Sequence, residues 1–189
     1  MFPIHNTFPK EMAVIGRILL DYGELELDLM NCIQVARQYD LDSTLKAMFR
    51  IRGELSRIQI ADALGRVPYS NAGLEAEFSE LIDAIDHCRK IRNKYAHAYW
   101  HDPDIGKALC YVSLEELAED KEPVKDLTAL TFFYLDEKLL LLQESYFLYV
   151  RELIRYLNYE GRFRNKHINT QIFKRPAAVG KPPYFTRKA

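Results

Sequence analysis

Apolar residues recur at steps of three and four along most of the first 160 positions, the spacing of one face of an α-helix. Prolines mark where such helices must stop. Between Lys10 and Glu160 they occur only at 68, 103 and 123, so the intervals between them are free to be long helices. The first predicted helix runs from about Glu11 to about Gln38 and shows Ile15, Ile18, Tyr22, Leu25, Leu29, Ile33 and Ala36 on one face. The polar run from Tyr39 to Ser43, rich in N-cap residues, breaks the pattern. A second helix is predicted from about Thr44 to about Leu64, ended by Gly65 and Pro68. The third is expected from about Leu74 to about Trp100. The fourth is expected from about Leu127 to about Tyr159, closed by Gly161. The apolar run from Ala108 to Val112 suits a minor edge strand, and Ser113-Leu114-Glu115-Glu116 suits a capping box for one short helical turn. The fold class predicted is therefore all-α: four long helices plus a short turn.

After Gly161 the apolar periodicity stops. Pro176, Pro182 and Pro183 appear, and basic residues alternate with Phe163, Phe173, Tyr184 and Phe185. The division expected is a helical domain over 1–160 and a basic, proline-containing tail over 161–189. The tail holds eight of the 26 Lys and Arg and none of the 27 Asp and Glu, leaving 18 basic against 27 acidic residues before it. An acidic body with a basic tail points to a polyanion near the tail.

The third helix contains the position that breaks the apolar pattern. Its seam reads Phe78, Leu81, Ile85, Cys88, Arg92, Tyr95, Tyr99, with one arginine among six apolar or aromatic residues. A guanidinium there must be paired, hydrated in a cleft or reserved for an anion, because a bare buried charge is too costly. The bland alternative is an arginine that snorkels or pairs with a carboxylate. His97 lies five residues on, about 140° round a helix of roughly 3.6 residues per turn, so it does not share a face with Arg92. Asn93 and His97, at i and i+4, do share one, and the amide is placed to fix the imidazole's tautomer.

The string Arg92-Asn93-Lys94-Tyr95-Ala96-His97 resembles the R-x4-H signature of HEPN domains, including the polar residue after the arginine and the position late in a third long helix. The resemblance covers about residues 10–160. It implies a HEPN-like helical bundle and a metal-independent endoribonuclease that works as a homodimer, in several relatives as a toxin of a toxin–antitoxin or phage-defence system with an antitoxin protein as partner. By motif position it makes Arg92 and His97 the catalytic pair and Asn93 their support. RNA supplies the 2′-hydroxyl nucleophile, an imidazole titrates in the range needed for acid–base work, and a guanidinium suits a phosphate. Arg89, Lys94 and Tyr95 are the further candidates for contacts with RNA. No cofactor is expected. The competing reading is a non-catalytic, dimeric helical module that binds a nucleotide, RNA or a partner protein through the same Arg92.

Other constellations carry less. His97 and His101 have the i, i+4 spacing of helical zinc sites with Cys88 near in sequence, but no acidic ligand stands at the expected spacing, and no metal site is read here. Asp83 and Asp86, and Glu24, Glu26 and Asp28, read as solvated charges. Walker, G-x-G-x-x-G and G-x-S-x-G motifs are missing. Cys32, Cys88 and Cys110 cannot all pair within one chain and lie in apolar surroundings, which suggests a reducing compartment such as the cytoplasm. The N-terminal stretch lacks the pattern of a secretory signal, and the longest apolar run, Leu139–Leu142, cannot span a bilayer.

Overall fold

The computed structural model describes residues 4–103, 106–113, 118 and 130–189. Among them are six helices: α1 (Ile4–Thr7), α2 (Pro9–Ala36), α3 (Leu41–Phe49), α4 (Glu54–Asn71), α5 (Glu75–Ala96) and α6 (Glu137–Arg164). Four short strands accompany them: β1 (Ala98–His101), β2 (Leu109–Ser113), β3 (Phe133–Leu135) and β4 (Arg187–Lys188). No helix among the described residues is long and apolar enough to cross a membrane. The chain packs as two compact units: Met1–Leu20, Lys90–Ser145 and Pro182–Ala189 in the first, Asp21–Arg89 and Tyr146–Lys181 in the second. The helices α2, α5 and α6 each contribute to both.

The second unit is helical. Its core is made of Leu25, Leu29, Ile33, Phe78, Leu81, Ile85, Leu153 and Leu157, all buried, as the three-and-four spacing requires. Asp40 caps α3, its carboxylate accepting from the Ser43 amide at 3.2 Å, so the predicted break falls where expected. The single helix predicted over 44–64 is instead two. Gly53, at φ 106°, separates them, a backbone conformation that glycine adopts without strain. The helix α4 then runs through both Gly65 and Pro68. A Cβ at Gly65 would come within 2.5 Å of Phe78 Cζ and 2.6 Å of Ile33 Cδ1, so this glycine permits close packing rather than ending a helix. Pro68 falls in the last turn, where it removes the bond an amide would make to the Leu64 carbonyl but does not stop the helix, which runs on to Asn71. The residue after it, Tyr69, stacks on Phe78 at 4.7 Å and donates to the Cys32 carbonyl at 3.1 Å. Gly161 likewise lies within α6, against Tyr69, where a Cβ would meet the ring at 3.3 Å.

The first unit carries the sheet, in the order β1-β2-β3-β4 with every pair antiparallel. The chain is largely helical, as expected, but this sheet of four short strands goes beyond the one minor edge strand foreseen. The segment 98–101, expected as the end of the third helix, pairs with β2 from Ala98↔Ser113 to His101↔Cys110. The strand expected at an edge, β2, is an inner one, and its four consecutive buried residues fit that position. The segment 133–135, expected as helix, is β3. The helix α6 starts only at Glu137, with the Asp136 carboxylate accepting from the Leu139 amide at 2.7 Å. Most of the predicted capping box, and the start of the fourth helix near Leu127, lie outside the described residues.

The helix α6 runs past Gly161 to Arg164. Residues 165–181 belong to the second unit and 182–189 to the first. In the second unit Arg175 pairs with Glu80 at 2.5 Å, and Lys181 pairs with Asp83 at 2.5 Å. Two tail cations thus already meet carboxylates of α5. In the first, β4 pairs with β3, and Ala189 exchanges backbone bonds with Phe132 at 2.8 and 3.0 Å.

Candidate functional site at the end of helix α5

The last turn of α5 and the residue after it bear the motif. Arg92 is half-buried at the position where the seam predicted an apolar side chain. Its Nη1 donates to Asn93 Oδ1 at 3.0 Å, which fixes the guanidinium plane against its neighbour. The expected partnership of Asn93 with the imidazole is not formed: the amide oxygen serves Arg92. The link between Asn93 and His97 is a backbone one, the His97 amide donating to the Asn93 carbonyl at 3.1 Å. His97 is the first residue beyond the helix, and Ala98 enters β1 directly after it. The helix end and the first rung of the sheet therefore fix its backbone on both sides. Its imidazole is exposed and makes no hydrogen bond or ion pair among the described residues.

Other candidates fall in different places. Tyr95 is 3% exposed, its hydroxyl is bonded to Gln143, and its ring contacts Trp100 at 5.6 Å and Tyr111 at 6.1 Å. It is a core residue, and a base cannot stack on it. Tyr99, expected to pack along the helical seam, is 57% exposed, because its segment is a strand rather than helix. Lys94 is half-buried, with Nζ 5.4 Å from the centre of the Tyr184 ring and 5.7 Å from that of Phe133. Arg89 belongs to the second unit, where Asp86 holds it at 2.8 Å, so it is an intrahelical ion pair there. Asp86 is thereby not the solvated charge expected, and neither is Glu26, which meets Arg57 at 2.9 Å.

One residue that anchors this region escaped the sequence reading. Gln143 of α6 is fully buried. It accepts from Tyr95, and its Nε2 donates to the Pro183 carbonyl at 2.7 Å. A lone carboxamide between Leu139, Leu140 and Phe147 at helical spacing was the available signal, of the same kind as Arg92 on α5.

The histidine pair loses its metal-site geometry, because His101 lies in β1 and the i, i+4 spacing no longer describes one helical face. No cluster of three or more His, Cys, Asp or Glu able to hold a metal occurs among the described residues. All three cysteines are free and buried. Burial pushes the Cys32 thiol up to about 12 and the Cys110 thiol up to about 11, so neither supplies a thiolate nucleophile near neutrality. Burial also raises the Tyr95 phenol, which stays neutral as a donor to Gln143. Comparison with family models, with curated proteins and with solved structures finds no match for this chain.

Proposed function

We propose that this chain is a metal-independent endoribonuclease of the HEPN type, active in the cytoplasm as a homodimer, with Arg92 and His97 as its catalytic residues and Asn93 as a positioning residue. The observation that carries the reading is the presence at the end of α5, five residues apart, of a half-buried, amide-held guanidinium and an exposed imidazole that makes no hydrogen bond or ion pair among the described residues. The arrangement supports the chemistry directly. His97 accepts the proton of an RNA 2′-hydroxyl as its oxygen attacks the adjacent phosphorus. Arg92 stabilises the charge that builds on the phosphoryl oxygens, and its bond to Asn93 orients it before substrate arrives. The O2′–P bond forms and the P–O5′ bond breaks. The 5′-oxygen then takes a proton from a second group, for which the dimer provides the other subunit's imidazole. The products are a 2′,3′-cyclic phosphate and a 5′-hydroxyl. Among the finer expectations, Lys94 is retained as a phosphate contact, while the tyrosine of the motif is assigned to the core. A toxin paired with an antitoxin protein is the setting this activity suggests.

The test is incubation of the purified chain with single-stranded RNA and with the matching DNA in EDTA. RNA is expected to be cut to cyclic-phosphate ends, DNA to survive, and the His97→Ala and Arg92→Ala variants to leave RNA intact. Uncut RNA with the wild-type chain, or equal cleavage by His97→Ala, overturns the proposal. A variant that still binds RNA while the wild type never cuts it favours the non-catalytic module.

A further inference from the structure

The second unit contains a polar cavity of about 290 Å3 that the proposed chemistry does not use. Two facing ridges build it. On α6, Arg155, Asn158 and Arg162 stand at steps of three and four. On α2, Asp28, Asn31 and Gln34 stand at steps of three. Facing ridges of packed helices are ordinarily filled by apolar side chains, and these same helices bury Leu25, Leu29, Leu153 and Leu157 nearby. Here the ridges instead hold three carboxamides, two guanidiniums and one carboxylate around open space.

The charges do not cancel. Asp28 already faces Arg151, whose Nε lies 3.6 Å from its carboxylate, and Arg151 also pairs with Glu24. Among the described residues, neither Arg155 nor Arg162 meets a carboxylate. The Arg155 side chain makes no hydrogen bond among the described residues. Arg162 is held in place without being neutralised: its Nε donates to Asn158 Oδ1 at 2.9 Å, and its guanidinium lies 5.1 Å from the centre of the Tyr159 ring and 5.6 Å from that of Tyr39. Its terminal nitrogens are thereby left to donate as a fork. Gln38 and Tyr39, which bring one of those rings to the guanidinium, both take positive φ angles of 59° and 65°, a conformation uncommon outside glycine.

We propose that this cavity binds a small phosphate monoester. Two guanidiniums that meet no carboxylate among the described residues present more forked donors than the two oxygens of a carboxylate can accept, and a phosphate's three terminal oxygens suit them better. The carboxamides of Asn31 and Gln34 offer donors and acceptors to the hydroxyls of the attached alcohol. The volume is at the low end of the roughly 300–1,000 Å3 range of ligand clefts, which suits a small sugar phosphate or an isolated terminal phosphate rather than a length of nucleic-acid backbone. Binding here does not depend on RNA cleavage at the end of α5.

The full chain titrated in a calorimeter with ribose 5-phosphate, inorganic phosphate and ribose provides the test. Both phosphates are expected to bind and ribose to give no signal. Arg155→Gln and Arg162→Gln are each expected to weaken ribose 5-phosphate binding about tenfold or more, the range for a lost hydrogen bond to a charged group. Arg175→Gln, which removes a carboxylate-paired cation elsewhere, is expected to change nothing. Circular dichroism reports whether each variant is folded. Arg155 is exposed and its side chain makes no hydrogen bond or ion pair among the described residues, so its variant decides the matter if Arg162→Gln is misfolded. The proposal is overturned by unchanged affinity in folded Arg155→Gln, by ribose binding as tightly as its phosphate, or by a single-stranded RNA lacking terminal phosphates binding at this face when ribose 5-phosphate does not.

Discussion

The helices α5 and α6 end on the same two-residue device, an arginine whose guanidinium is held by an asparagine side chain, yet the two ends are equipped for different work. Arg92 bonds Asn93, the next residue, and Arg162 bonds Asn158, one turn back. At the end of α5 the residue that follows is an exposed imidazole, a group that can give and take a proton. At the end of α6 the surroundings are tyrosine rings and carboxamides, with no imidazole among the described residues that line the cavity. Each end also has a second polar residue committed to the fold: Tyr95, bonded to the buried Gln143, and Arg164, which pairs with Glu160 at 2.9 Å and donates to the carbonyls of Ala72 and Gly73. On the two proposals above, a held arginine is a mount for an anion, and what stands beside it decides between turnover and binding.

The sharpest way to break this comparison is to exchange the roles. His97→Ala should lower RNA cleavage by about 10²–10⁴-fold, the contribution of a general acid–base group, with no change in the urea midpoint because the side chain is exposed. Arg162→Gln should leave cleavage within about twofold, under 1 kcal/mol of barrier. A large loss there would mean that the two ends are not functionally separate. Next in size are the structural members. Gly65→Ala should destabilise the chain by about 1–3 kcal/mol in urea denaturation, because Phe78 and Ile33 must move to admit a methyl group. Tyr95→Phe should cost about 1–3 kcal/mol by leaving the buried Gln143 oxygen without a donor, while RNA affinity stays unchanged if no base stacks on that ring. The smallest effect is expected from Arg175→Ala. Its ion pairs with Glu80 and Glu77 are half-exposed, so stability should fall by less than about 1 kcal/mol and the difference should shrink in high salt.

Much of the helical framework was legible because burial imposes its period on the chain. The face of α2, the cap at Asp40 and the seam of α5 as far as Cys88 all follow from apolar spacing and N-cap chemistry. The break between α3 and α4 was not, because Met48, Ile51, Leu55 and Ile58 continue the helical spacing across it, although Ile51 and Leu55 are in fact exposed. The sheet was hidden by the brevity of its strands. β3 has three residues and β4 two, too few to show alternation, and Tyr99 happens to fall where a longer helix would place its next seam residue. At the site, Arg92 stood out as a charge among apolar neighbours. Its bond to Asn93 depends on a rotamer that no spacing specifies, and the contact of Tyr95 with Gln143 spans 48 positions, beyond the reach of any local pattern.

Gln143 has two chemically unlike ends, and its neighbours read them differently. Its oxygen faces a phenol that donates its hydrogen to it. Its nitrogen faces the carbonyl of Pro183, in a Pro-Pro step with no amide hydrogens of its own to offer in return. The connector is therefore polarised, like a plug that fits one way round. Loss of ammonia from this side chain, the slow chemical ageing that turns glutamine into glutamate, would swap a donor for an anion at the carbonyl and set oxygen against oxygen. A change of one heavy atom, invisible to shape and volume, would turn the tie between α6 and Pro183 into a repulsion.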